Sequence, residues 1–370
     1  MFYREAGDFS TTYAQDQQTF PIKFDRYRYY LVLFIAIVVV PFIINDYWAN
    51  SLLLPFLIYA IAAIGLNILV GYCGQVSLGT GGFMAVGAYS CYKFMTGVDI
   101  WWGGELLFRL PEFNIFLSVI MGGVMTALVG VLFGLPSLRI KGFYLAVATL
   151  AAQFFLVWLF NRVSWFYNYS ASGQISAPER EFFGILITGP STPAWATYLF
   201  CLFFTIVCAV IARNMTRGAS GRKWMAIRDM DIAAEIIGVN PLRAKLTAFA
   251  VSSFFIGISG ALFFSVYLGA VEVGEAFGIQ KSFLVLFMII IGGLGSIFGS
   301  FAGAAFLVLL PVALKVVGVD WLGWPTDIVA HLQLVIVGGL IVIFLIAEPH
   351  GIAQLWRVAK EKLRLWPFPH

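Results

Sequence analysis

From about residue 29 to residue 346 the sequence is a succession of apolar stretches, most of them close to the ~20 residues an α-helix needs to cross a bilayer. Short polar segments part them. This pattern admits few folds. Inside lipid the backbone has no water to bond, so spanning segments are helices or closed barrels, and runs this long and continuous point to helices. Charged residues make up 11% of the chain and hydrophobic ones 61%, whereas a soluble domain carries about 25% charge. The chain reads as an all-α polytopic membrane protein.

About ten spans are expected: 29–46, 52–70, a glycine-rich third element reaching about 97, then 113–135, 143–160, 195–212, 244–266, 282–294, a ninth to about 317 and a tenth over 328–346. An even count puts both termini on one side. With the amino terminus inside, Lys23, Arg26 and Arg28, the Arg139/Lys141 turn, the 213–245 segment and the basic tail all fall in the cytoplasm. Loops 98–112, 161–194, 267–281 and 318–327 then lie outside and are less basic, in keeping with the positive-inside rule. Residues 1–28 form a cytoplasmic tail and 29–346 the transmembrane domain. Residues 347–370 form a basic amphipathic tail, with Arg357, Lys360, Lys362 and Arg364 beside Trp356, Leu363, Leu365 and Trp366, suited to lie on the inner membrane surface.

Two segments are too rich in glycine for an ordinary helix. Residues 71–87 hold Gly71, Gly74, Gly79, Gly81, Gly82 and Gly87; the second segment holds Gly292, Gly293 and Gly295, with Gly299 and Gly303 beyond. In a membrane a broken helix survives only buried in protein or lining a cavity. Two readings follow: a broken helix at the centre of the bundle, or a tight helix–helix seam without a ligand. Paired glycine-interrupted elements in two halves point to a central substrate path. Its candidate lining is Asn67, Gly74, Gln75, Ser77, Gly79, Thr80, Thr149 and Gln153, with Gly81, Gly82, Gly87, Gly292, Gly293 and Gly295 as gating or packing positions. Thr149 and Gln153 stand one turn apart on one face and suit either a path or a polar glue between helices.

The 213–245 segment carries Arg213, Arg217, Arg222, Lys223, Arg228, Arg243 and Lys245 between two strongly apolar runs. Its core, residues 231–238, reads as a short helix that stops at Gly238, with Asn240-Pro241 as the exit. Ala233 and Ala234 leave room for a partner, and Trp224, Ile227 and Ile236 supply apolar knobs. A helix docking into a partner's groove and a solvated loop that only orients the protein both fit this composition.

Other classes fit less well. Cys73, Cys91, Cys201 and Cys208 are scattered in apolar stretches, and His331, His350 and His370 form no ligand cluster, so no metal site is expected. No nucleophile–base set suggests a membrane enzyme. A secondary transporter normally needs intramembrane Asp or Glu, which the span interiors almost lack. A channel would leave the basic segment surplus. A non-transport scaffold and a nucleic-acid partner have no feature in their favour.

Several motifs stand in order along the chain: Leu66-Asn67-Ile68-Leu69-Val70-Gly71-Tyr72-Cys73-Gly74-Gln75-Val76-Ser77-Leu78-Gly79, Gly87-Ala88-Tyr89, Ile140-Lys141-Gly142-Phe143-Tyr144-Leu145-Ala146, Gly221-Arg222 through Ala226-Ile227-Arg228, Ala233-Ala234-Glu235-Ile236-Ile237-Gly238, and Ile291-Gly292-Gly293-Leu294-Gly295-Ser296. Over roughly residues 50–345 the chain resembles the membrane-spanning permease subunits of branched-chain amino acid ABC importers, and is most similar to the LivM type of the two paired permeases. In such importers a cytoplasmic coupling helix carries a Glu-Ala-Ala, three-residue, Gly pattern. Here Ile232 stands at the Glu position, between Asp231 and the Ala233-Ala234 pair, with Glu235 and Gly238 following. The resemblance thus implies ATPase coupling through Arg228, Asp231, Ile232, Ala233, Ala234, Glu235 and Gly238.

The resemblance also implies partners. These are a second, LivH-like permease forming a heterodimer, two cytoplasmic ATPase subunits, and an extracytoplasmic binding protein meeting the 161–194 and 267–281 loops. The location would be the bacterial inner membrane. The chain has no Gly-x-x-x-x-Gly-Lys-Ser/Thr loop, so it is expected to be a non-enzymatic transport subunit without a cofactor of its own, ATP being bound by its partners. Branched-chain or other hydrophobic amino acids are the first substrate class implied; urea, short amides and aromatic carboxylates are the alternatives.

Overall fold

The computed structural model describes residues 11–12, 23–102, 105–137, 144–189, 191–347 and 351–365. Most of the amino-terminal tail, the Arg139/Lys141 turn and Trp366 of the basic tail lie outside them. Helix α1 covers 23–43, α2 Asp46–Tyr72, α3 Thr80–Thr96, α4 Ile115–Ser137, α5 Tyr144–Arg162 and α6 Ala194–Arg217. Helix α7 covers Ala219–Ile236, α8 Pro241–Leu268, α9 Val273–Gly292 with an interruption at Gly278, α10 Ile297–Trp321, α11 Thr326–Ala347 and α12 Gly351–Leu365.

Among the described residues, eight helices (α2, α4, α5, α6, α8, α9, α10 and α11) are long and apolar enough to cross a membrane. The other two expected spans are shorter. In α1 only Tyr29–Ile43 is apolar. Helix α3 has 17 residues, because the chain is non-helical from Gly74 to Gly79; at ~1.5 Å per residue it is about 26 Å long.

Burial orders the bundle. It takes in 83% of the most apolar window of α2 and 78% of that of α8, but 6% of that of α11. Helices α2 and α8 are therefore the axis, and α11 presents its apolar flanks outward. The close packing rests on small residues. A Cβ on Gly87 of α3 would sit 2.1 Å from the Gly257 carbonyl of α8, and one on Gly260 would sit 2.0 Å from the Met84 carbonyl. Backbones this near leave no room for any side chain, which is the small-residue packing expected of helices in lipid. Ser259 locks the seam to α2 by donating to the Ile58 carbonyl at 2.8 Å.

Segments expected as loops carry strands. Strand β1 (Val98–Trp102) pairs antiparallel with β2 (Glu105–Leu110), and β4 (Arg180–Phe182) with β5 (Ile185–Thr188). Strand β3 (Ile175–Ser176) pairs with β6 (Ala270–Val271). The last pairing ties the α5–α6 loop to the α8–α9 loop, so the two lie at one end of the bundle. Helices α7 and α12 lie at the other.

Candidate coupling and transport site

Both glycine-rich segments are breaks. At its end α2 widens into a π-turn at Ile68–Tyr72, and residues 74–79 are non-helical before α3 begins. Between α9 and α10 the break is residues 293–296. Gly293 has φ +119° and Gly295 φ +74°, conformations glycine adopts without a Cβ penalty.

The two breaks meet through Asn67, which stands just before the π-turn. Its Nδ2 donates to the Ser296 carbonyl (2.9 Å), the Ser300 Oγ (2.9 Å) and, more weakly, the Gly293 carbonyl (3.3 Å). Its Oδ1 accepts from the Gly295 N–H at 2.8 Å. One amide thus takes up backbone groups that the second break frees, as burial in an apolar medium demands.

Thr149 and Gln153, on α5, also bind protein. Thr149 Oγ1 accepts from the Leu78 N–H of the first break (2.9 Å) and donates to the Ala146 carbonyl. Gln153 Oε1 accepts from the Gly82 N–H and from Ser282 Oγ, while its Nε2 donates to the Phe277 carbonyl at 2.8 Å. Ser282 Oγ in turn accepts from the Gly81 N–H at 2.8 Å. This node joins α3, α5 and α9. Gly79, Gly81 and Gly82 pack against it: a Cβ on Gly81 would meet the Phe277 carbonyl at 2.8 Å. Ser77 is buried beside it. Gln75 Oε1 and Thr80 Oγ1 are buried at the same break without a hydrogen-bond partner among the described residues.

Helix α7 is two pieces that meet at Met230, whose φ of −161° and ψ of 97° are non-helical. The first piece faces inward. Trp224 is fully buried and donates from Nε1 to Thr247 Oγ1 at 3.2 Å; Ile227 is buried too. The Trp224 and Ile227 knobs expected to meet a partner therefore pack within the chain, because the change of direction at Met230 turns the two pieces differently. The outward apolar residues are Met230, Ile232, Ile236 and Ile237, between 65% and 81% exposed.

Arg228 crosses from α7 to the first break. Its Nη1 donates to the Gly71 carbonyl at 3.0 Å, and its stem lies against Gly74, where a Cβ would come 2.9 Å from Arg228 Cγ. A Cβ on Gly295 would meet Arg228 Nη1 at 3.3 Å, so the guanidinium is bonded to the first break and stands beside the second. Asp229 pairs with Arg228, and Asp231 with Lys245 at 3.6 Å. Ala234 is buried, while Ala233, Glu235 and Gly238 are exposed. Gly238 has φ +90° with open space around it, and its N–H donates to the Glu235 carbonyl, closing the helix as expected.

The region that carries these features, residues 49–345, matches the family described as branched-chain amino acid transport system / permease component. This chain belongs to that family. Among curated relatives it is 30% identical over 320 residues to the high-affinity branched-chain amino acid transport system permease protein LivM of Salmonella typhimurium, covering 81% of this chain and 69% of that one. The same figures hold for LivM of Escherichia coli. A probable branched-chain amino acid transport permease protein LivM of Methanocaldococcus jannaschii is 23% identical over 330 residues, 82% of this chain and 92% of that one. No solved structure matches significantly. The family match takes in both breaks, Asn67 and all of α7, and the homologues are permease subunits of transporters.

The sequence does not single out Ser282, Ser296 and Ser300. A hydroxyl inside an apolar, glycine-broken run was the available signal. Lys281, the last residue of the expected 267–281 loop, stands in α9, where its Nζ donates to Tyr59 Oη at 2.7 Å.

Proposed function

We propose that this chain is the membrane-spanning permease subunit of an ABC importer that moves branched-chain or other hydrophobic amino acids inward. Partner ATPases supply the energy. The observation that carries this is Arg228: the helix with the exposed Met230, Ile232, Ile236 and Ile237 face is hydrogen-bonded through it to the break beside the candidate path. A push on α7 is then a push on Gly71 and Gly295. In this reading ten segments cross the bacterial inner membrane, α1 and α3 included, and both termini are cytoplasmic. The α7 end faces the ATPases. The end bearing β3 and β6 faces a binding protein.

Asp229 and Asp231 are occupied by Arg228 and Lys245, whereas Glu235 is exposed and forms none of the ion pairs among the described residues. Glu235 is accordingly the carboxylate offered to the ATPase. The unpartnered acceptors of Gln75 and Thr80 mark the wall of the substrate path at the first break, where the partner permease, LivH-like, closes the other side.

Affinity purification of the tagged chain from its native membranes in mild detergent, with mass spectrometry of what accompanies it, tests the assignment. A second permease and ATPases with nucleotide-binding motifs are expected. A chain recovered alone and monodisperse would count for a channel or a secondary carrier.

A further inference from the structure

Lys281 is a cation within a membrane-spanning helix, and such residues are functional by default because lipid disfavours them. Its ammonium group donates to Tyr59 Oη and lies 4.8 Å from the centre of the Phe263 ring. None of the ion pairs among the described residues includes it. The cation is held in place, and among the described residues no carboxylate is ion-paired with it.

It lines a cavity of about 330 Å³ with Tyr59, Phe263, Tyr267, Glu272 and Glu275, within the range of about 300–1,000 Å³ typical of small-molecule sites. The rings of Tyr59, Phe263 and Tyr267 succeed one another at 5.7 and 5.4 Å between centroids and form an apolar wall. Glu272 and Glu275 are exposed at its rim and also form none of those ion pairs. The cavity lies at the far end of α8 from α7, a helix of 28 residues or roughly 40 Å. Ala270 and Val271 of β6 form its edge, next to the β3 loop.

A fixed cation, an aromatic wall and free carboxylates around one small cavity match a zwitterion with an apolar side chain. We infer that this cavity is an entry site for an α-amino acid: Lys281 and Tyr59 hold the carboxylate, Glu272 or Glu275 the ammonium, and Phe263 and Tyr267 the side chain. The inference rests on the import reading and adds where substrate is first held.

The test uses the assembled importer in nanodiscs, with an amine-acylating reagent and mass spectrometry of Lys281 acylation measured relative to the other lysines of the complex, which corrects for reagent consumed by an added amine. Leucine is expected to protect Lys281, while isoamylamine, which lacks the carboxylate, and isocaproate, which lacks the ammonium, protect it weakly or not at all. Equal acylation with and without leucine overturns the site. In proteoliposomes supplied with loaded binding protein, Lys281→Gln should lower leucine uptake about tenfold or more, and Lys281→Arg should restore most of it. Wild-type uptake in Lys281→Gln also overturns the site. Protection of Lys281 by leucine in a wild-type complex that imports no amino acid would instead strike the import reading.

Discussion

Arg228 and Gly71 are joined by a 3.0 Å hydrogen bond across 157 residues of sequence. The bond matters because of what stands on either side of it. Arg228 belongs to a helix that exposes the apolar side chains of Met230, Ile232 and Ile236. Gly71 ends a buried helix at the point where it breaks, and Gly71 lies against Gly295 of the other break. Surface helix and both breaks therefore share one contact.

Asn67 is the second staple of this contact, and its removal should loosen the bundle. Asn67→Ala leaves the half-buried Gly295 N–H without its acceptor, at about 1–3 kcal/mol. The expected result is a lower unfolding temperature of the detergent-solubilised chain, read by size-exclusion fluorescence after a heating series. Unchanged stability would mean that the second break finds other partners.

Gly87 tests the seam between α3 and α8. Gly87→Ala forces a Cβ onto the Gly257 carbonyl and should cost about 1–3 kcal/mol or more through overpacking. Gly338→Ala, on outward-facing α11 with nothing within 4 Å of the added carbon, should be neutral to mildly stabilising. Yields of monodisperse protein from the two variants make the comparison.

Gln153 separates glue from path. Its amide serves Gly82, Phe277 and Ser282, so Gln153→Met should lower stability by about 1–3 kcal/mol and leave the relative uptake of leucine and valine unchanged. A shift in that preference at full stability would assign Gln153 to the substrate's wall.

Much of this was legible in the sequence and some was not, for physical reasons. Spans announce themselves because lipid demands long apolar runs, and the breaks because only glycine tolerates their geometry. Gly238 marked the end of α7 correctly. What a one-dimensional pattern hides is direction. Met230 is helix-compatible by type, yet the chain bends there, which turns Trp224 and Ile227 inward and Ile232 and Ile236 outward. Contacts such as Asn67–Gly295 and Lys281–Tyr59 join segments more than two hundred residues apart, and no local period encodes them. The hairpin over residues 98–110 was read as a loop because its short strands carry no clear alternation.

The outward face of α7 should bind an ATPase. Ile236 is 81% exposed, so Ile236→Glu should fold normally and lose the co-purifying ATPase. Gly238→Arg has open space for its side chain and strains only the local backbone, by about 1–2 kcal/mol; it should abolish coupled transport with the bundle intact. Full uptake in either variant would remove this surface from the interface.

The most direct test of the account is the amount of leucine imported per ATP hydrolysed, measured in proteoliposomes holding the complete importer with wild-type chain or with Arg228→Ala. Loss of the contacts to Gly71 and Gly295 predicts that this ratio falls severalfold or more, because hydrolysis no longer moves the breaks. A ratio equal to the wild type's would contradict the proposal that α7 drives transport through Arg228.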